Sequence, residues 1–361
     1  MLKSVRLGDK ELKVPIIQGG MGVGISLGNL AGNVMKQDCM GVISAAHPGY
    51  RRANFRQDSE LANCEAIEEE VAKARSIANG KGVLGINIMV ASKDYASYVK
   101  AALKAKVDAI ISGAGLPLEL PALTKGSKVL IAPIVSSGKA MKLIAKMWDR
   151  RHNATPDFVV IEGSEAGGHL GFKKDDLVNG TCESLETVLK DVQEELTLYR
   201  EKYGKEIPVF VAGGIFTGED MARFINLGAN GVQIGTRFIA TEECDADIKF
   251  KEAVINAKKE DIEIVQSPTG FPGRGIMNDF MRKNKERGNV CIKNCLNCMI
   301  PCTPTDTPYC ISEALIQSAQ GNLNHGLIFV GSNAWRIEKM TTVKSLIEEL
   351  IQQANRVLEV K

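Results

Sequence analysis

Eight short runs of apolar, mostly β-branched residues punctuate the first two-thirds of the chain, and stretches with helical periodicity separate them. The runs are VPIIQGG from Val14, GVISAA from Gly41, LGINIMV from Leu84 and DAIISGAG from Asp108, then VLIAPIV from Val129, DFVVIEG from Asp157, PVFVAGG from Pro208 and GVQIGTRF from Gly231. Near-continuous apolar runs of this length predict parallel strands buried on both faces. In NCEAIEEEVAKARSIANG, Asn63 can cap a helix and Ile67, Val71, Ala74 and Ala78 share one face. Glu69 stands four before Lys73, and Gly80 follows where the helix would stop. Segments from Asp94, Ser137, Ser184 and Gly218 repeat the pattern. Strands alternating with helices mean a parallel sheet, and eight units predict an α/β fold, a closed (β/α)8 TIM barrel. An open doubly wound sheet is the alternative. It needs only six strands, and no G-x-G-x-x-G follows the first strand.

Beyond residue 240 the alternation stops. Thr241–Glu260 predicts a last amphipathic helix, QSPTGFPGRGIMNDF is rich in turn residues, and Thr342–Val360 predicts a terminal helix with one polar face. The expected organisation is a barrel over 1–260, a Cys-rich segment over 261–335 covering the active face, and a C-terminal helix in 336–361 packed on the barrel. A length of 361 residues suits one barrel plus such an elaboration. Lys and Arg number 45 against 43 Asp and Glu, so no nucleic acid or anionic membrane is implied as a partner. The N-terminal residues lack the apolar core of a secretory signal and no run approaches a membrane span, so a cytoplasmic location is expected.

Glycines crowd the carboxyl ends of the predicted strands, which form the active face of such barrels. Gly213-Gly214 after the seventh strand, followed by a helix near Gly218, offers backbone donors and a helix N-terminus to an anion. Gly235-Thr236 at the eighth strand adds a second cluster of N–H groups and a hydroxyl. Together these two turns point to a phosphate-bearing ligand. EGSEAGGHLG (162–171) follows the sixth strand and sets His169 among glycines at the barrel mouth. A histidine there can act as acid or base, or face an anionic substrate as a cation. His47, His152 and His325 are read as loop histidines bonded to backbone.

PIIQGGMG, GINIMV, EGSEAGGHLG, VAGGI and QIGTRF, in this order over residues 14–240, resemble the nitronate monooxygenase family. That family was formerly called 2-nitropropane dioxygenase and also contains FMN-dependent enoyl-acyl-carrier-protein reductases. FPGRGIMN at 271–278 resembles a later family segment. The resemblance implies a barrel that binds FMN non-covalently. Gly20 and Met21 would lie against the flavin through backbone, and Asn87 would hydrogen-bond near its phosphate or ring. Glu162 stands where family members commonly carry Gln, and Gly167 follows in the same loop. Gly213, Gly214, Gln233, Ile234, Gly235 and Thr236 would hold the phosphate, and His169 would be the catalytic residue. The implied activity is oxidation of nitronates or nitroalkanes with O2 to carbonyl compounds and nitrite. The rival enzymatic reading is NAD(P)H-dependent reduction of an enoyl thioester. A third is a non-catalytic flavin-binding or electron-transfer protein. The partner is a small molecule, and a homodimer is compatible with all three.

Five of nine cysteines form C-x3-C-x2-C-x3-C-x7-C from Cys291 to Cys310. An odd total and no export signal argue against a disulfide framework. Thiolates at this spacing could hold zinc or an iron–sulfur cluster, with Cys295, Cys298, Cys302 and either Cys310 or Cys291 as the candidate ligands. The spacing of the first three resembles that of barrel flavoproteins that pair FMN with an iron–sulfur centre. The alternative is a reduced loop whose cysteines pack as small hydrophobes.

Overall fold

The computed structural model describes residues 1–359. The chain opens with an antiparallel hairpin, β1 (Val5–Leu7) and β2 (Lys10–Leu12). The eight expected runs then form β3 (Ile16–Gln18), β4 (Met40–Ser44), β5 (Val83–Met89), β6 (Ala109–Gly113), β7 (Leu130–Val135), β8 (Val159–Glu162), β10 (Val209–Ala212) and β11 (Gly231–Ile234). The two-residue β9 (Gly168–His169) lies outside this set. The eight pair in parallel in chain order, and β11 returns to β3, so the barrel is closed. Ile17, Val42, Ile111, Val160 and Phe210 fill its interior, and Val5, Leu7 and Leu12 of the hairpin join the same apolar cluster. The hairpin therefore plugs the amino-terminal mouth. Each fully buried leucine there contributes roughly 1.5–3 kcal/mol.

The outer layer begins with α1 (Gly28–Met35), α2 (Ser59–Ala78), α3 (Tyr95–Lys104) and α4 (Leu120–Leu123). It continues with α5 (Gly138–His152), α6 (Lys174–Asn179), α7 (Leu185–Tyr203) and α8 (Gly218–Asn226). Ser137 and Ser184 cap α5 and α7 through their hydroxyls, as their positions predict. The cap of α2 is Asp58, whose carboxylate accepts from Leu61 N, and not Asn63. Asn63 lies buried one turn inside the helix, where Tyr98 and the backbone of Gly49 occupy its amide. Glu69 does not pair with Lys73 but with Arg52, and Lys73 reaches Glu70 and Asp245.

After β11 come α9 (Thr236–Ile239), α10 (Ile248–Ile255), β12 (Ile262–Gln266), β13 (Pro272–Ile276), α11 (Asp279–Arg287), α12 (Ile311–Ala319) and α13 (Val343–Glu359). The single helix expected over Thr241–Glu260 is shorter. Asp247 caps α10 by accepting from Lys249 N, and the preceding residues are tied down by Lys251 Nζ, which donates to the carbonyls of Thr241 and Glu242. The terminal helix matches its expected span as far as Glu359; Val360 lies outside the described residues. Leu346, Ile347 and Leu350 of α13 join Val34, Met221 and Phe224 in the layer between strands and helices, and α13 packs on α8 and α1. It thus completes the ring as the eighth barrel helix. Residues 240–342 are an insertion between the last strand and that helix, laid across the carboxyl ends of the strands. Within it β12 and β13 pair antiparallel, and β9 adds to β13 through His169 opposite Gly273.

Candidate active site

The strand ends and the insertion enclose a cavity of about 270 Å³. Every residue proposed from sequence for catalysis or for the phosphate-bearing ligand lines it: Gly20, Met21, Asn87, Glu162, Gly167, His169, Gly213, Gly214, Gln233, Ile234, Gly235 and Thr236. They come from five different strands, so only barrel closure brings them together. Thr269, Cys298, Met299, Ser312 and Phe329 of the insertion form the opposite wall.

The glycines are there for space. A Cβ on Gly20 would lie 2.4 Å from Asn87 Cβ, and one on Gly167 would lie 2.4 Å from the Val330 carbonyl carbon. Gly213 and Gly214 have φ of 87° and 93°, a region L side chains avoid. The consequence is a cradle. The N–H groups of Gly213, Gly214, Gly235 and Thr236 donate to no other described residue, although each sits only partly exposed at the cavity wall. Unpaired backbone donors in such a place are rare and stand free to meet a bound anion. Asn333 donates to the Gly214 carbonyl at 3.1 Å and Gly331 N donates to Thr236 Oγ1 at 2.9 Å, so the insertion braces the cradle from outside.

The start of α8 plays no part in it, contrary to the expectation from Gly218. Asp220 Oδ2 already accepts from Phe216 N and Thr217 N, and Gly218 N donates to Gln353 of α13. The short helix after Gly235 faces the cavity instead.

His169 is held by its strand pairing and by a 2.7 Å hydrogen bond between Nε2 and Ser267 Oγ, which also meets Thr269 Oγ1 at 3.0 Å. Its ring packs edge-on against Phe329, with centroids 5.1 Å apart. Burial pushes its pKa from 6.5 down to about 4. The imidazole is therefore neutral near pH 7, which supports a base and disfavours the cationic role. Arg274 of β13 donates to the carbonyls of Ser164 and Ala166 at 2.5 and 2.7 Å, clamping the loop that carries His169. This gives FPGRGIMN a concrete task.

Glu162 ends β8 facing the cavity with no hydrogen-bond partner in the described chain, and burial pushes its carboxyl from 4.5 up to about 8. At neutral pH it is mostly a protonated acid. Like the amide of Gln it can donate one hydrogen bond without adding charge. A folded-state pKa raised above the unfolded one means stability is full below pH 4.5 and is lost as pH rises through about 8. Glu162→Gln should thus gain thermal midpoint over the parent chain progressively across that window and level off above it. An unchanging difference from acid to alkaline pH would contradict a buried, protonated Glu162.

Sequence reasoning passed over His47. Its bonds are not to backbone: Nε2 meets Ser312 Oγ at 2.7 Å and Nδ1 meets Asn63 Nδ2 at 3.3 Å, while the ring reaches the cavity. Burial, then Arg56, pushes it down to about 4. No local signal could reveal this, because Ser312 arrives 265 residues later in the chain.

The nine cysteines are free thiols. Among the described residues no three His, Cys, Asp or Glu side chains are placed to hold a metal ion. Cys298 and Cys302 instead pack against the apolar cluster of Met277, Met281 and Met299. Burial, and behind it the nearby Cys310 and Cys295 sulfurs, pushes Cys298 up to about 11, and Cys295 and Cys310 bear on Cys302 in the same way.

A parallel (β/α)8 barrel with an anion cradle at strands seven and eight and a neutral histidine across the cavity defines a barrel enzyme class. The nitronate monooxygenase family model matches residues 4–353, and the chain belongs to that family, whose members are oxidoreductases. A probable nitronate monooxygenase of Staphylococcus saprophyticus is 30% identical over 209 residues, 57% of this chain and about half (53%) of that protein. One of Staphylococcus haemolyticus is 24% identical over 97% of this chain and 96% of its own length. Among solved structures, FabK from Thermotoga maritima superposes with a TM-score of 0.73 at 24% identity, covering 96% of this chain and 94% of its own. Nitroalkane oxidase from Streptomyces ansochromogenes gives 0.72 at 19% identity, over 97% and 98%. Among the described residues no helix is long and apolar enough to cross a membrane.

Proposed function

We propose that the chain is an FMN-dependent nitronate monooxygenase that oxidises nitronates, or nitroalkanes after deprotonation, with O2 to carbonyl compounds and nitrite. The observation that carries this reading is one cavity holding both an unpaired N–H cradle and a neutral histidine. The cradle suits a phosphate, and the family descriptions of the relatives suit the chemistry.

Gly213, Gly214, Gly235 and Thr236 would hold the FMN phosphate. Gly20 and Met21 would meet the ring through backbone, with Asn87, Gly167, Gln233 and Ile234 around it. Protonated Glu162 would donate to a ring acceptor where Gln would otherwise do so. When bound, FMN supplies the electron-accepting and oxygen-reactive centre. The chain supplies the rest. His169 removes the α-proton of a neutral nitroalkane, and its bond to Ser267 fixes the ring for that transfer. Phe329 packs edge-on against the His169 ring and, with Thr269, Cys298, Met299 and Ser312 of the insertion, walls the cavity opposite the strand ends. The base works above its pKa of about 4, so the base limb of the nitroalkane profile should fall only in strongly acidic buffer.

The test is oxygen uptake with paired nitrite release on adding a primary or secondary nitronate to purified protein. Turnover without NAD(P)H is expected. Silence with nitronates and nitroalkanes, but consumption of NAD(P)H with an enoyl thioester, would replace this reading with the reductase. Bound flavin with no turnover of either kind would favour an electron carrier.

A further inference from the structure

Resting on the nitronate monooxygenase reading, we infer that the substrate carries an unbranched alkyl tail, which passes Thr269 and lies in an open apolar groove walled by Val90, Ala91, Phe271, Ile300 and Pro301. The first ground is continuity with the cavity, because each of the four chain segments along the groove also lines the cavity. Met89 lines the cavity and Val90 and Ala91 the groove; Gly113 lines the cavity and Gly115 the groove, with Ala114 in both. In the insertion Met299 lines the cavity and Ile300 the groove, and Thr269 belongs to both before Phe271. The join falls beside the proposed base. His169 Nε2 meets Ser267 Oγ at 2.7 Å and that oxygen meets Thr269 Oγ1 at 3.0 Å, so the groove begins two hydroxyls from the imidazole.

The second ground is the chemistry of the walls. Among the described residues no charged side chain lines the groove, and Thr269 brings its one polar side chain, a buried hydroxyl already engaged by Ser267. The backbone is engaged as well: Val90 N donates to Gly113 O at 2.9 Å, Ala91 N to Ala114 O at 3.1 Å and Ile300 N to Ala91 O at 2.9 Å. A polar or anionic tail would lose water there without finding a partner, whereas an alkyl tail gains by leaving water. Ile300 is 70% exposed, an apolar side chain that such a tail would cover.

The third ground is the placing of the Cys-rich stretch between α11 and α12. It is pinned to the loop after β5 by the bridge of Met299 to Ser92 and by Lys93 N, which donates to Cys298 O at 3.1 Å. Those bonds set Ile300 and Pro301 opposite Val90 and Ala91 as the outer wall of the groove. Ile300 is therefore a specificity-determining residue for the tail, outside the cavity where the nitro group reacts.

The experiment measures kcat/KM for nitroethane, 1-nitrobutane, 1-nitrohexane and 1-nitrooctane with the parent protein, Ile300→Asp and Ile300→Leu. From 1-nitrobutane upward each added methylene, half to fully buried, should raise kcat/KM of the parent by roughly twofold to fourfold. Ile300→Asp should keep the parent's rate with nitroethane, whose short chain stays in the cavity, and lose most of the rise with length. Ile300→Leu should keep the rise. The Ile300 side chain is exposed and its N–H bond to Ala91 survives substitution, so the variants should fold, and circular dichroism checks this. A parent whose kcat/KM is flat or falls with length, or an undiminished rise in Ile300→Asp, would overturn the groove. Inertness toward every nitroalkane would remove the nitronate reading and leave the groove to calorimetric titration with 1-butanol, 1-hexanol and 1-octanol. Affinity that grows with length in the parent and not in Ile300→Asp would sustain an alkyl-tail subsite, and equal affinity at all lengths would overturn it.

Discussion

His169→Ala should lower turnover of a neutral nitroalkane by about 10²–10⁴-fold, the usual worth of a positioned general base, while bound flavin stays stoichiometric. The side chain touches Ser267 and Phe329 and contributes nothing to the cradle, so cofactor retention and catalysis separate cleanly. A preformed nitronate needs no proton removed and should lose far less in the same variant. Equal losses with both substrates would assign His169 to substrate binding and not to proton transfer. Steady-state rates with each substrate form, across pH, make the distinction. Removing the imidazole also abolishes a group with a depressed pKa. Neutral, buried His169 stabilises the fold above pH 6.5, and that share is lost as pH falls through about 4. The variant should therefore be less sensitive to acid than its parent, though His47 retains part of the sensitivity.

The second large effect is expected at the cradle. Gly214→Val should bind FMN far more weakly, because valine at φ of 93° is strained whatever the space around it. Backbone strain of this kind costs on the order of 1–3 kcal/mol. The β10 turn must shift to relieve it, and the N–H groups turn away from the phosphate. The barrel strands themselves are untouched, so circular dichroism of the flavin-free protein should match the parent, with the thermal midpoint lowered only by the few degrees that such strain implies. Equilibrium dialysis with FMN checks this, and a variant that retains stoichiometric flavin would count against the phosphate assignment.

The barrel was legible because its signal is redundant. Eight runs such as LGINIMV and PVFVAGG are apolar at successive positions, and only burial on both faces accounts for that. The glycine turns were equally legible, since Gly213 and Gly214 are needed for left-handed backbone wherever a ligand approaches. What escaped depends on partners far away in sequence. The hairpin β1–β2 is two three-residue strands, VRL and KEL, too short for alternation to register. The sheet of β9, β12 and β13 is made from glycine-rich pieces, GH and PGRGI, that show no strand pattern until Arg274 clamps the loop at Ser164 and Ala166. Asn63 resembles a cap by type, but Asp58 reaches the free N–H groups first. The role of α13 as the eighth barrel helix was hidden by the hundred-residue insertion that separates it from β11.

The central claim is that the cradle at β10 and β11 holds FMN, and the most direct measurement is on the chromophore of the purified protein. Heat-released ligand, identified by mass and by its absorbance spectrum, should be FMN in a one-to-one ratio with the chain. Protein purified without chromophore should recover that ratio on adding FMN and should discriminate against riboflavin, which lacks the phosphate. A chain that binds no flavin, or binds riboflavin as tightly as FMN, would contradict the account.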